Sequence, residues 1–137
     1  MKIADLRAYR TEQFSFVNKA KPNKRLELEN RISYNVEYAD NNTARGEMQA
    51  KISDKNNPGD FSIDIIMSGV FTTEPGAEKE KLHLATYDLL FPYVKAAISM
   101  FTANAGIPPV YLPYADISEK NIYRVDIPNR KHGGDNE

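Results

Sequence analysis

The chain has 137 residues, 41% of them hydrophobic and 27% charged, with 8 prolines and no cysteine. That length is one domain's worth and buries about two-thirds of its unfolded surface, so no covalent staple is needed. Eighteen Lys and Arg against nineteen Asp and Glu leave a net charge of −1, which excludes a global field drawing in nucleic acid or an anionic membrane.

Without cysteine there is no disulfide, thiolate–zinc site, iron–sulfur cluster or cysteine nucleophile. His83 and His132 alone make a poor metal cage. In the first residues, Met1 to Arg10, charges interrupt the apolar side chains every few positions, unlike the core of a signal peptide. The longest apolar run, Leu89 to Val94, contains Pro92 and falls far short of the ~20 residues a membrane span needs. The expected compartment is therefore the cytoplasm, with no membrane insertion.

In chain order, Phe14 and Phe16 flank Ser15 in a short strand expected over 11–18. The basic stretch 19–25 has no interleaved aromatics and is expected to be a solvated connection. From 26 to 38, Leu26, Leu28, Ile32, Tyr34, Val36 and Tyr38 alternate with charged or polar residues, broken only by Asn30. Strand side chains alternate faces, so this is a long strand with one dry and one wet side. Asp40-Asn41-Asn42-Thr43 supplies turn chemistry that tolerates positive φ. Alternation resumes with Ala44, Met48, Ala50 and Ile52, and a second turn follows at 56–60. Phe61, Ile63, Ile65, Met67 and Phe71 then form the dry face of a fourth strand. Short turns between long strands predict a four-stranded antiparallel β-meander. Ile66 and Val70 stand on its otherwise polar face, either as ordinary apolar surface or as a partner contact.

After Glu74-Pro75-Gly76, a helical segment is expected over roughly 79–104, ended by Gly106 and Pro108-Pro109. Pro92 must open a second helix there or kink a single one. Val94, Ala97, Ile98, Phe101 and Ala105 form a stripe that can cover the sheet. Leu89, Tyr93, Ala96, Met100 and Ala103 form a second stripe, so the helix is apolar almost all round. Either the chain's own segment 108–117 covers the second stripe, or it is a subunit interface, which is the preferred reading. Two turns of helix are expected over 118–125, stopped by Pro128. The fold class is thus α+β, one domain over 1–130, with 131–137 expected to be a disordered tail.

Catalytic inventory is missing. His83 near Glu80 and Asp88 reads as a surface histidine, and no glycine-rich phosphate loop or G-x-S-x-G elbow occurs. The chain is expected not to be an enzyme and to need no cofactor or metal.

Leu90-Phe91-Pro92-Tyr93-Val94-Lys95, followed by Ile98-Ser99-Met100, resembles the helix signature of the SecB-type export chaperones. The helix-ending Gly106 and the run Ile107-Pro108-Pro109-Val110-Tyr111-Leu112-Pro113 are similar to that family in order and spacing. So are Ser68-Gly69-Val70-Phe71 at the end of its fourth strand and Phe14-Ser15-Phe16 in its first. The resemblance implies a four-stranded antiparallel sheet with helices on one face, assembled through those helices as a tetramer, a dimer of dimers. It implies no cofactor and no ATPase, and a holdase that keeps unfolded export-bound chains in apolar grooves and passes them to the SecA motor. Client-groove candidates are Ile66, Val70, Ile107, Val110, Tyr111 and Leu112. The family's SecA-facing surface uses acids near the first strand and on the fourth. Asp64 matches the latter, whereas Gln13 and Val17 stand at the former, with Glu12 beside them. Some SecB-like proteins instead serve a single antitoxin, and a non-chaperone ligand-binding or scaffold domain is the alternative from another class.

Overall fold

A computed structural model describes residues 2–114 and the backbone of the strand 121–126. Five strands form one antiparallel sheet: β1 (Ala4–Asn18), β2 (Arg25–Ala39), β3 (Thr43–Asp54), β4 (Phe61–Thr73) and β5 (Asn121–Asp126), in the order β1-β4-β3-β2-β5. One helix, α1 (Lys79–Ala103), packs on one face. Four antiparallel strands and a helix after them are as the sequence predicts.

The order corrects the simple meander. β2, β3 and β4 follow one another as hairpins, but β1 pairs with β4, so the connection 19–24 crosses the end of the sheet. Asn42, in the β2–β3 turn, adopts φ 58°, as its turn chemistry allows. The expected helix over 118–125 is also corrected where it is described. Asn121–Asp126 is a strand that pairs with the start of β2, from Arg25↔Asp126 to Asn30↔Asn121. Ile122, Tyr123 and Val125 are strand-favouring residue types, and β2 offers them an open edge. The tail 131–137 lies outside the described residues.

Strand β1 starts at Ala4, well before the expected 11. Its register against β4 slips at two places, leaving Arg7 and Glu12 as extra residues. Each such bulge reverses which side chains face the helix. Leu6, Tyr9, Thr11, Phe14 and Phe16 all point to the helix side in consequence, opposite Phe71, Gly69, Met67, Ile65 and Ile63.

Helix α1 is continuous, with Pro92 inside it and exposed. The proline removes the bond to the Asp88 carbonyl, which lies on the solvent side where water can serve it. Val94 and Ile98 of the first stripe are fully buried, and Leu90 and Phe91 join them over β4 and β3. The helix axis runs diagonally. Its start lies over β2, where the Tyr38 hydroxyl donates to the Lys79 carbonyl, 3.1 Å. Its end lies over β1, where Phe101 meets Phe14 and Phe16 at ring distances of 4.6 and 5.2 Å.

Glycine is required at Gly46 by close approach. A Cβ there would fall 2.9 Å from two Tyr34 ring carbons and against its hydroxyl. That hydroxyl is buried with no hydrogen-bond partner. Burial pushes the Tyr34 phenol up to about 12, from an ordinary 10.0. The fold accommodates the neutral form, so the Tyr34 contribution is complete below the unfolded value and is lost as pH rises toward the folded one. Tyr34→Phe is expected to raise stability by ~0.5–1 kcal/mol near neutrality, since it removes an unsatisfied hydroxyl. It should also reduce the loss at alkaline pH. Urea midpoints of both proteins at neutral and alkaline pH check this, and an equal alkaline loss in the variant would contradict it.

Candidate functional site

The two faces of the sheet differ in chemistry. On the face away from α1, a polar cluster surrounds the second β1 bulge. Glu12 Oε2 accepts from Arg10 Nε at 2.8 Å, Ser68 Oγ at 2.6 Å and Arg45 Nη2 at 3.4 Å. The Arg10 guanidinium and the Ser68 hydroxyl hold the Glu12 carboxyl below the usual carboxylate range, and Arg10 is raised in turn. Asp64, further along the same face, accepts from Gln49 Nε2 at 3.0 Å and lies 3.9 Å from Lys51 Nζ. Both acids expected to meet SecA are thus engaged with groups of their own sheet.

The helix side carries most of the large exposed apolar side chains: Tyr9, Leu84, Tyr93, Met100, Phe101, Tyr111 and Tyr114, with Val17 and Val70 on the other face. Tyr9, brought across by the first bulge, stacks on Tyr93 at 4.3 Å between ring centres. Beside them is an open cleft of about 400 Å³ lined by Leu6, Arg7, Ala8, Tyr9 and Tyr93. Met100 is 67% exposed and Phe101 41%. Ala96 and Ala103 are exposed beside them, while Leu89 is partly buried against the core. Four members of the second stripe therefore share one uncovered side of α1.

The client-groove candidates fall into three places. Ile107, Val110 and Leu112 are buried in the core, where they pack with the helix and sheet. Tyr111, between them, is 61% exposed. Ile66 and Val70 are on the far face of the sheet. Ile66 sits between Gln13 and Gln49, and Val70 between Ala8 and Arg45, with Ser68 separating the two. They form no shared surface with the other four. His83 contacts the Tyr34 ring at 5.2 Å, and among the described residues no group of three His, Cys, Asp or Glu could hold a metal.

Sequence reasoning missed Tyr9, Arg10, Arg45 and the buried Thr102. Tyr9 had a signal: Leu6, Tyr9, Thr11, Phe14 and Phe16 are spaced by three, two, three and two residues. A step of three inside a period of two marks a bulge. Thr102 had none, because its role comes from the fold: its hydroxyl donates to the Ile98 carbonyl and accepts the Val110 N–H, both at 2.8 Å.

The family model described as preprotein translocase subunit SecB matches residues 8–128. The protein-export protein SecB of Anaplasma marginale (strain Florida) is 38% identical over 60 residues, 41% of this chain and 34% of that protein. SecB of Orientia tsutsugamushi (strain Boryong) is 31% identical over 62 residues, 43% of this chain and 39% of that protein. An uncharacterized protein of Methanocaldococcus jannaschii, MJ0357, is 60% identical over 30 residues, 22% of this chain and 19% of that protein. The chain thus matches about a third of the length of the curated SecB relatives. Among solved structures, a SecB-like chaperone of Mycobacterium tuberculosis in complex with an antitoxin peptide has a TM-score of 0.65 at 15% identity. That likeness, covering 83% of this chain and 88% of the other, is one of fold. With a family match spanning nearly all of the sheet and the whole of the helix, the chain belongs to the SecB family.

Proposed function

We propose that this chain is a non-catalytic, nucleotide-independent holdase that binds unfolded polypeptides in the cytoplasm. The observation that carries the reading is the apolar surface that the helix side exposes beyond the Tyr93 and Met100 stripe, from Tyr9, Leu84, Phe101, Tyr111 and Tyr114. A small-molecule binder needs an enclosed cavity with convergent polar groups. Apolar burial is non-directional, at ~25 cal/mol per Å², so an open surface of this kind accepts many sequences. A client that has folded no longer presents such segments, and selectivity comes from the folding state.

The stripe of Tyr93, Ala96, Met100 and Ala103, with Leu89 at its edge, is the proposed subunit seam of a tetramer. Several client surfaces on one assembly then turn weak contacts into avidity. No helix among the described residues is long and apolar enough to cross a membrane. The reading is tested by fluorescence anisotropy of a labelled, permanently unfolded chain. Saturable binding without nucleotide, absent for the same client in its native fold, is expected. Equal binding of both forms, or of neither, would overturn it.

A second reading, a dedicated chaperone of one antitoxin, is favoured by two observations. The structural relative was solved with an antitoxin peptide. The acids proposed for SecA docking are few and engaged, since Glu12 is held by Arg10 and Asp64 by Gln49. SecA binding is expected to be weak, salt-sensitive and further reduced in Asp64→Lys. Calorimetry on both proteins decides this. Tight binding that ignores the charge reversal would place the docking surface elsewhere.

A further inference from the structure

After α1 the chain turns at Gly106, φ 82°, and runs back beside the helix as an extended strap, residues 107–114. Ile107, Val110 and Leu112 point into the core, whereas Tyr111 and Tyr114 face out. Pro108, Pro109 and Pro113 have no N–H to give, and among the described residues no sheet ladder includes the strap. Its ties to α1 include the Val110 N–H on the buried Thr102 hydroxyl and the Tyr114 hydroxyl on exposed Asp88, each 2.8 Å.

The diagonal of α1 explains what the strap does. The helix starts over Tyr34 and Tyr38 and ends over Phe14 and Phe16, so the opposite corner of the sheet lies outside its footprint. That corner holds Leu26, Leu28 and Ile52, each of them 0% exposed. The strap's buried side chains belong to the same core as these three.

We propose that the strap is a built-in stand-in for a client: hinged at Gly106 and latched by Thr102, it lifts as a unit and yields its place to an extended apolar segment of another chain. This rests on the holdase reading and adds its regulation. A segment held by side-chain packing and side-chain hydrogen bonds, with no strand ladder of its own, opens at lower free energy than the sheet beneath it. The prolines keep the released strap stiff, so little chain entropy opposes its return. Extended apolar segments free of native structure displace it, because a folded chain keeps such side chains in its own core. The closed fraction lowers apparent affinity for every client by the same factor, so that weakly bound segments are not held.

The absence of cysteine makes the test direct. Val110→Cys and, separately, Leu112→Cys place a thiol under the strap, and Ile65→Cys places one in the centre of β4 as a reporter of global unfolding. The strap thiols are expected to react with a thiol reagent at least ~10-fold faster than the Ile65→Cys thiol, and faster again when an unfolded client is added. Adding Thr102→Val removes the latch and should speed strap labelling about tenfold, while Thr102→Ser restores it. If strap and sheet thiols react at one rate, the strap opens only with the whole domain and the inference falls. If client is held, as judged by anisotropy, while strap labelling is unchanged or slowed, the inference falls and the holdase reading stands. If the strap opens on its own but no client binds, it is the holdase reading that fails, and the strap's client role with it.

Discussion

Gly69→Val is expected to destabilise the domain by about 3 kcal/mol. Gly69 lies in β4 opposite Tyr9 on one side and Gly46 on the other. A Cβ there would fall 3.1 Å from Leu6 Cδ1, 3.2 Å from Leu90 Cδ1 and 3.2 Å from Phe71 Cζ. Those atoms belong to the bulged edge strand, the helix and the sheet at once. Leu90 is fully buried and cannot rotate into free space. Valine adds two further carbons beyond that Cβ, so α1 must rise from the sheet, losing close packing along Leu90, Val94 and Ile98. Gly59→Ala is the control, since nothing lies within 4 Å of its added carbon. Its effect should stay within about 0.5 kcal/mol. Urea unfolding reads both, and a Gly69→Val midpoint equal to that of Gly59→Ala would show that the helix does not press on the glycine.

The second large effect is on assembly. Tyr93 and Met100, at 41% and 67% exposure, flank the small Ala96 and Ala103 on one side of α1. Small residues let a second helix approach, and the larger pair fills the gaps between. Left bare, such a stripe forgoes several kcal/mol of apolar burial, at ~25 cal/mol per Å², and invites aggregation. Met100→Lys puts an ammonium into that dry seam, where it lacks a partner and cannot shed its water cheaply. The Val94 and Ile98 stripe, on the opposite side, is untouched. The expected result is a smaller species by light scattering with the same β-rich circular dichroism. A variant of wild-type mass, or a wild type that is already a monomer, would contradict the seam.

These elements were legible to different degrees for physical reasons. β2 was readable to within a residue at each end because one face is dry and the other wet along its whole length. β1 was half-read, since the bulges at Arg7 and Glu12 break the period-two pattern and hide Tyr9 among charges. β5 was misread as helix because its stability comes from the open edge of β2, which no local pattern records. The strap shows a different limit. Ile107, Val110 and Leu112 are apolar whether they line a groove or fill a core, and only the path of α1 decides which. The polar cluster on the far face was partly visible as Glu12, but its partners Arg10, Arg45 and Ser68 come from three different strands.

A holdase of this kind keeps other chains from aggregating through an apolar surface, with no nucleotide chemistry. Static light scattering of a denatured, slow-folding client diluted into buffer, with and without a stoichiometric amount of this protein, tests it most directly. Scattering is expected to be suppressed in the absence of nucleotide, and to the same extent when nucleotide is added. Aggregation of the client at its unassisted rate, beside a protein shown by circular dichroism to be folded, would contradict it.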